Sequence, residues 1–336
     1  MGFVCGVFLL FSLPALVRTE VVQDFNTCPD LFLNINAVIF TPTILVDPQN
    51  QDRYKKICQR RDINNRNYEF ATLYDTLNKI PVFSAYRVRT KTSTNRNENW
   101  YIEPQLDNSK DNSFQGTEKL GRDGATMGIH QALKEDYKNS GYDKGHLFPV
   151  SHADTQETAD ATFTLTNVVP QDRCLNEVWW KDLEGKIIDY LDNYLKQQQQ
   201  GNPVANNLVP GGPVANNIVQ GHTAYVVTGA VPGSSTISNT VNVKVPGNSK
   251  IRKISNTVNV PGYLWTAFCY YDLITKQWVS KAHYAPNDRS QIVIELSVTD
   301  LETRLSGSNR DGYNQNFSIF QGNCKSDINN PIYHHD

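Results

Sequence analysis

The sequence predicts an α+β fold, and three observations carry that reading. Stretches rich in Val, Thr and aromatic residues recur along the chain as strand signals. One long segment in the middle carries a helical row of apolar residues. A short helical stretch, "TDLETRL", follows the last strands. The 336 residues are 39% hydrophobic, enough for one large domain or two small ones. Net charge is −2 and the pI about 6.4, so bulk charge does not mark a nucleic-acid binder, and any basic surface must be local.

The chain opens with "MGFVCGVFLLFSLPALVRTE". Its apolar stretch from Phe3 to Val17 is short for a membrane span and is interrupted by Ser12 and Pro14, so residues 1–19 read as a secretory signal peptide. Mean hydropathy is −0.48 and no second stretch approaches membrane length. A secreted, extracellular protein with no stable membrane association is the expectation. Cys5 leaves with the signal, and Cys28, Cys58, Cys174, Cys269 and Cys324 remain in an oxidising compartment. No CxxC pair exists, which argues against zinc. The simple expectation is two disulfides, Cys28–Cys58 closing an N-terminal loop and Cys269–Cys324 a C-terminal one, with Cys174 left as a thiol. Asn316-Phe317-Ser318 is a glycosylation sequon.

"IPVFSAYRVRTKT" reads as a strand, Pro81 excepted. Arg87, Arg89 and Lys91 recur at period two and share one face, either a solvated basic face or a phosphate-facing strip. "TFTLTNVV" reads as a further strand. The clearest helix is "QDRCLNEVWWKDLEGKIIDYLDNYLK", with Leu183, Ile187, Leu191 and Leu195 at spacing four and Asp172 as N-cap. Two duplications follow. "PVANNLV" at Pro203 recurs at Pro213 in a Gly-, Pro- and Asn-rich stretch, read as an exposed loop over about 197–221. "ISNTVNV" occurs at Ile237 and again at Ile254. The second copy leads into the strand "PGYLWTAFCYYD", so the first is read as surplus surface in a loop insertion at about 233–253. "AYVVTGAVPG", "QWVSKAHYA" and "SQIVIEL" complete the strands.

The chemistry gathers around "YDKGHLFPVS". A metal-assisted phosphodiesterase needs a base to take a proton from water, a metal to hold the phosphate, and a cation for transition-state charge. An imidazole titrates near neutral pH, so His146 is the candidate base. Asp143 sits close enough to orient the turn or the imidazole. Gly145 permits tight backbone packing beside the site. A lone strand histidine is usually structural, and the helix that follows reverses that reading. Asn176 and Glu184 lie eight residues apart on neighbouring helix faces. An Asn carbonyl and water suit Mg²⁺, which keeps most of its waters. His152, His283 and the His334-His335 tail have no chemical partner in the sequence.

Asp143-Lys-Gly-His146, Asn167-Val-Val-Pro170-Gln171, Leu175-Asn176 and Trp180-Lys-Asp-Leu183-Glu184 together resemble the DNA/RNA non-specific endonucleases of the ββα-metal class. "YVVTGAVPG", "YLWTAFC" and the signal peptide resemble its secreted endonuclease domain-containing branch. The resemblance implies a mixed, mainly antiparallel sheet flanked by helices and long surface loops, in a single nuclease domain over 20–336. It implies DNA and RNA as substrates and a Mg²⁺ cofactor with Mn²⁺ or Ca²⁺ as substitutes, and it extends the homodimers common among related enzymes to this chain. It assigns His146 as general base, Asn176 as direct metal ligand and Glu184 as water-mediated partner, and it matches Arg96 to the transition-state arginine. Lys144 stands where the family has Arg; it keeps the charge and loses the planar fork. Lys144, Arg87 and Arg89 are the expected phosphate contacts. The alternative is a catalytically weakened nuclease fold that binds nucleic acid or a protein partner without efficient cleavage.

Overall fold

The computed structural model describes residues 21–60, 67–89, 92–108, 127–201, 223–244, 251–290, 292–308, 311–326 and 332. The expected signal peptide, Lys91, the first duplication at 203–219 and the histidine tail lie outside them.

The strands are β1 Val21–Val22, β2 Leu33–Ile35, β3 Val38–Phe40, β4 Tyr54–Gln59, β5 Phe70–Asp75, β6 Ile80–Val88, β7 Asp143–His146, β8 Val168–Gln171, β9 Ala224–Lys244, β10 Ile251–Asp272, β11 Gln277–Pro286, β12 Ile294–Leu296 and β13 Lys325–Ser326. The α-helices are α1 Pro104–Asp107, α2 Lys134–Tyr137, α3 Gln156–Ala161, α4 Lys181–Gly201 and α5 Val298–Ser306. Among the described residues one large sheet has the order β1-β4-β5-β6-β9-β10-β11-β12. Its neighbours along that path are antiparallel, and β13 adds a parallel partner to β11.

Local chemistry explains the main turns. Asp75 closes the β5–β6 hairpin: its carboxylate accepts from the backbone N–H of Leu77 and Asn78 and forms an ion pair with Arg53 at 2.7 Å. Pro81 is tolerated in β6 because the register shifts at Leu73/Tyr74, opposite it. The sheet then separates two apolar layers. On one face Tyr86, Val88 and Phe268 pack with Phe148, Leu165 and the α4 row Leu183, Ile187, Leu191 and Leu195. On the other, Phe83 and Trp265 pack with Phe25, Phe32, Leu301 and Phe317. Disulfides Cys28–Cys58 and Cys269–Cys324 fasten the second layer to the sheet, and Cys174 is a free, exposed thiol. Asn316 of the sequon is exposed.

Three local expectations are corrected. "TFTLTNVV" is not one strand. Leu165–Asn167 form a 3-10 turn and β8 begins at Val168. Asn167 favours the turn, because it is buried and its side-chain hydrogen bonds point inward, to Phe148 N and O, Thr162 O and Ser84 Oγ. The long helix also opens differently, with a π-helical stretch, Leu175–Trp180, before α4. Asp172 does cap it, accepting from Cys174 N at 2.9 Å.

The third correction concerns 233–253, which is strand rather than loop insertion at 233–244 and 251–253, while 245–250 lie outside the described residues. The two "ISNTVNV" copies pair with each other as the outer legs of the β9–β10 hairpin, Ile237 opposite Val258 and Val241 opposite Ile254. Both copies are rich in β-branched residues, which favour a pleated surface, and antiparallel pairing lets one segment be its duplicate's partner. The second copy is anchored inward: Val258 is fully buried, and Asn256 donates to Asp136 Oδ2 at 2.6 Å.

Candidate active site

β7 and β8 form an antiparallel pair, with His146 opposite Val168 and Asp143 opposite Gln171, and the chain then enters the π turn and α4. This strand–strand–helix unit positions the site. Period two places Lys144 and His146 on one face of β7. Both meet Trp100: the Lys144 ammonium stands 4.9 Å from the indole centroid and the His146 ring 5.4 Å from it. Gly145 faces the other way, onto Gln171, where a Cβ would overlap the glutamine side chain.

A cleft of about 640 Å³ opens above this unit, lined by Arg96, Asp143, Lys144, His146, Asn176 and Glu184 together with Trp100, Glu98 and Lys181. Every candidate catalytic and metal residue of the sequence reading therefore lines one cavity. Arg87 and Arg89 do not. They line a separate hollow with Asp30, Glu69, Asp154 and Glu157, where acidic side chains already surround them. Arg87, in β6, and Arg89, just past its end, thus stand apart from the cleft, and Lys91 of the period-two strip lies outside the described residues.

His146 is 8% exposed, its ring held edge-on against Phe163 at 5.2 Å, and its buried Nε2 makes no hydrogen bond. Burial, then the charges of Arg96 and Lys144, push its pKa down to about 3, so the imidazole is neutral at physiological pH. Burial pushes the Glu184 carboxyl the other way, up to about 8, against the pull of Arg96 and Lys181. Two titratable groups in one cleft are thus driven apart in opposite directions.

Asp143 turns out to orient Asn176. The Asn176 amide donates from Nδ2 to Asp143 Oδ2 at 3.2 Å, which fixes the amide's sense, because a carboxylate only accepts. Asn176 Oδ1 is left as a cleft oxygen. Asp143 is held in turn by Arg173 at 3.4 Å. Arg96 lies over the Phe163 ring at 5.3 Å and pairs with Glu98 at the surface. Lys144 is also within 5.7 Å of the Tyr137 ring, so two aromatic rings flank the cation.

Sequence reasoning missed Asn287. Its Oδ1 accepts from Asp172 N, and its Nδ2 donates to Pro170 O and Pro261 O, each at 2.8–2.9 Å. It ties the β8–helix junction to β10. No local signal in "HYAPNDRS" announces that role, because its partners are distant backbone groups.

The profile of the DNA/RNA non-specific endonuclease family matches residues 49–313. The human endonuclease domain-containing 1 protein is 28% identical over 275 residues, 81% of this chain and 44% of that protein. The mouse protein of the same name matches over 35% of its length, so the chain spans less than half of these relatives. Human mitochondrial endonuclease G is 41% identical over 63 residues, covering 18% of this chain and 21% of that one. A solved EndoG/EndoGI complex aligns with a TM-score of 0.44 and 18% identity over 79% of this chain and 89% of that one. With the family profile running from before β4 to beyond α5, across the whole β7–β8–helix unit and its cleft, the chain belongs to the DNA/RNA non-specific endonuclease family.

Proposed function

We propose that the chain is a secreted, divalent-metal-dependent endonuclease that hydrolyses phosphodiester bonds of DNA and RNA with little sequence preference. The observation that supports it most is the convergence of Arg96, Lys144, His146, Asn176 and Glu184 on one cleft. The donor chemistry fits a hard cation: Asn176 offers an uncommitted amide oxygen, and Glu184 a carboxylate able to hold a metal-bound water. Among the described residues no cluster of three His, Cys, Asp or Glu could cage a metal, and an ion that keeps most of its waters needs none. Mg²⁺ is the cation proposed, with Mn²⁺ or Ca²⁺ as substitutes. When bound it would polarise the phosphate and neutralise the leaving oxygen.

The chain's own residues supply the rest. His146, neutral in the free cleft, takes the proton of the attacking water. With Nε2 buried, Nδ1 is the nitrogen left for it. A bound phosphodiester brings negative charge that offsets Arg96 and Lys144, so substrate binding strengthens this base. Arg96 meets the charge gathering on the phosphoryl oxygens, and Lys144 holds a phosphate as a point charge between its two rings. These contacts are to backbone phosphate, which carries no direct base information, so DNA and RNA are both expected to be cut, leaving 5′-phosphate ends. Phosphate binding should weaken steeply with salt. Secretion is supported by the two disulfides, and no described helix is long and apolar enough to cross a membrane. Pairing as a homodimer is part of the proposal by analogy with related enzymes.

Plasmid nicking with Mg²⁺ against EDTA, with His146→Ala as control, tests the reading. Loss of the base should cost about 10²–10⁴ in rate while the fold persists. Nucleic-acid binding without cleavage in the wild type would favour the weakened-nuclease alternative. Cleavage by His146→Ala at the wild-type rate would remove the central assignment.

A further inference from the structure

The main chain of Glu184 is held independently of its carboxylate. His152, in the 3-10 turn Val150–His152 that follows β7, is 2% exposed, and both ring nitrogens are engaged. Nε2 lies 2.9 Å from the carbonyl oxygen of Glu184, and Nδ1 lies 2.9 Å from the Tyr86 hydroxyl. A carbonyl oxygen only accepts, so Nε2 carries the hydrogen. In the neutral imidazole Nδ1 then accepts from Tyr86. Thr228 and Thr266, whose hydroxyls lie 2.8 Å apart, line the same small cavity as Tyr86, His152 and Glu184. Tyr86, Thr228 and Thr266 are all at most 3% exposed, and Tyr86 stacks on Phe148 with centroids 3.9 Å apart. The sheet thus reaches through one histidine to the helix turn that carries Glu184 into the cleft.

We propose that His152 is a positioning residue for the cation side of the site: its Nε2–H sets the depth at which α4 presents Glu184, relative to the β7 strand that carries His146. This rests on the nuclease reading. The geometry gives the imidazole a task that ordinary core packing does not need, since its two nitrogens must stay in opposite roles. Glutamine can place an N–H where Nε2 stands. Asparagine, one methylene shorter, places it nearer Nδ1 and cannot.

The test uses the full secreted chain with its disulfides intact and two readouts, Mn²⁺ affinity by calorimetry and steady-state plasmid cleavage, with melting temperature recorded for each variant. His152→Ala should lower Mn²⁺ affinity and kcat by about 10–100-fold, the range for a residue that orients a metal's partner. KM should stay within about threefold, because the loss is not in uniform substrate binding. His152→Gln should recover most of both, His152→Asn should not, and Tyr86→Phe should fall between. An alanine variant that matches the wild type in both readouts overturns the proposal. So do glutamine and asparagine variants that lose equally, which would mean a packing role; if His152→Ala does not fold, that pair decides. A wild type that neither binds Mn²⁺ nor cuts refutes the nuclease reading itself, a result separable from either.

Discussion

Gly145→Ala isolates the contribution of close strand packing to catalysis without touching any group of the proposed chemistry. A Cβ built on Gly145 would lie 1.9 Å from Gln171 Oε1, 2.7 Å from its Cβ and 2.8 Å from its Cδ. The tip of Gln171 could swing aside, but its Cβ is fixed to β8, and the residue is fully buried. Strands β7 and β8 must therefore part by several tenths of an ångström, and overpacking of this kind costs about 1–3 kcal/mol. The same displacement moves His146, one residue on, relative to the helix carrying Asn176 and Glu184. A misplacement near ~1 Å costs on the order of 10² in rate. The variant should thus lose about 1–3 kcal/mol in urea denaturation and about 10–100-fold in plasmid nicking with every catalytic side chain present. Gln171→Gly in the same chain should restore most of the activity, less the roughly 0.5–1 kcal/mol that a strand glycine costs in stability. Gln171→Ala should restore less, because it keeps the offending Cβ. A Gly145→Ala protein as stable and as fast as the wild type, or a double variant no better than the single, would refute the reasoning.

Three further outcomes follow from the same geometry. Asn176→Ala should abolish Mg²⁺-dependent cleavage, while Asp143→Ala, which releases the Asn176 amide and the Arg173 guanidinium, should weaken Mn²⁺ binding by about 10–100-fold in calorimetry; loss of Mn²⁺ binding as complete as in Asn176→Ala would show that Asp143 is more than a tether. Glu184 in the metal-free protein keeps its proton up to about pH 8, so a divalent cation must displace it, and cation affinity should rise from pH 6 to about 8 and then level off. The sign for stability is opposite: a carboxyl whose folded pKa is raised binds more protons folded than unfolded, so the metal-free protein should lose stability as pH rises from the His146 crossover, about 6.5 in the unfolded chain, towards 8. Glu184→Gln should flatten both profiles, and a pH-independent affinity in the wild type would contradict the assignment. Removing Cys269–Cys324, which closes 55 residues, should cost about 4.2 kcal/mol against about 3.6 for the 30-residue Cys28–Cys58 loop, by loop entropy; non-reducing peptide mapping checks the pairing first, and a bridge to Cys174 would overturn it.

The site was more legible in the sequence than the fold around it. Asp143, His146, Asn176 and Glu184 lie on contiguous elements, so spacing along one strand–strand–helix unit nearly determines which of them meet. Arg87 and Arg89 failed for the complementary reason. Periodicity tells which residues share a face of β6 but not which neighbour that face meets, and here it meets acidic side chains. Asn287 and His152 were opaque because their roles consist of hydrogen bonds to groups far away in the chain. The first "ISNTVNV" copy was misplaced because the two were taken as rivals for one place before the strand, whereas each is the other's pairing partner.

That self-paired arm divides the protein into a part that tolerates change in length and a part that does not. A hairpin lengthens by equal additions to its two legs, so matched changes on the tip side of the Asn239–Asn256 pair leave Gly229 opposite Trp265 in the sheet below. Inward of that point the arm acts as a lever with Asn256 as fulcrum. Asn256 grips Asp136, which also caps Leu133 N at 2.7 Å and thereby seats the turn of α2 ending in Tyr137, one of the two rings that flank Lys144. A one-residue slip at the fulcrum would therefore reach the Lys144 ammonium through a chain of three contacts, whereas matched changes on the far side of that pair would not.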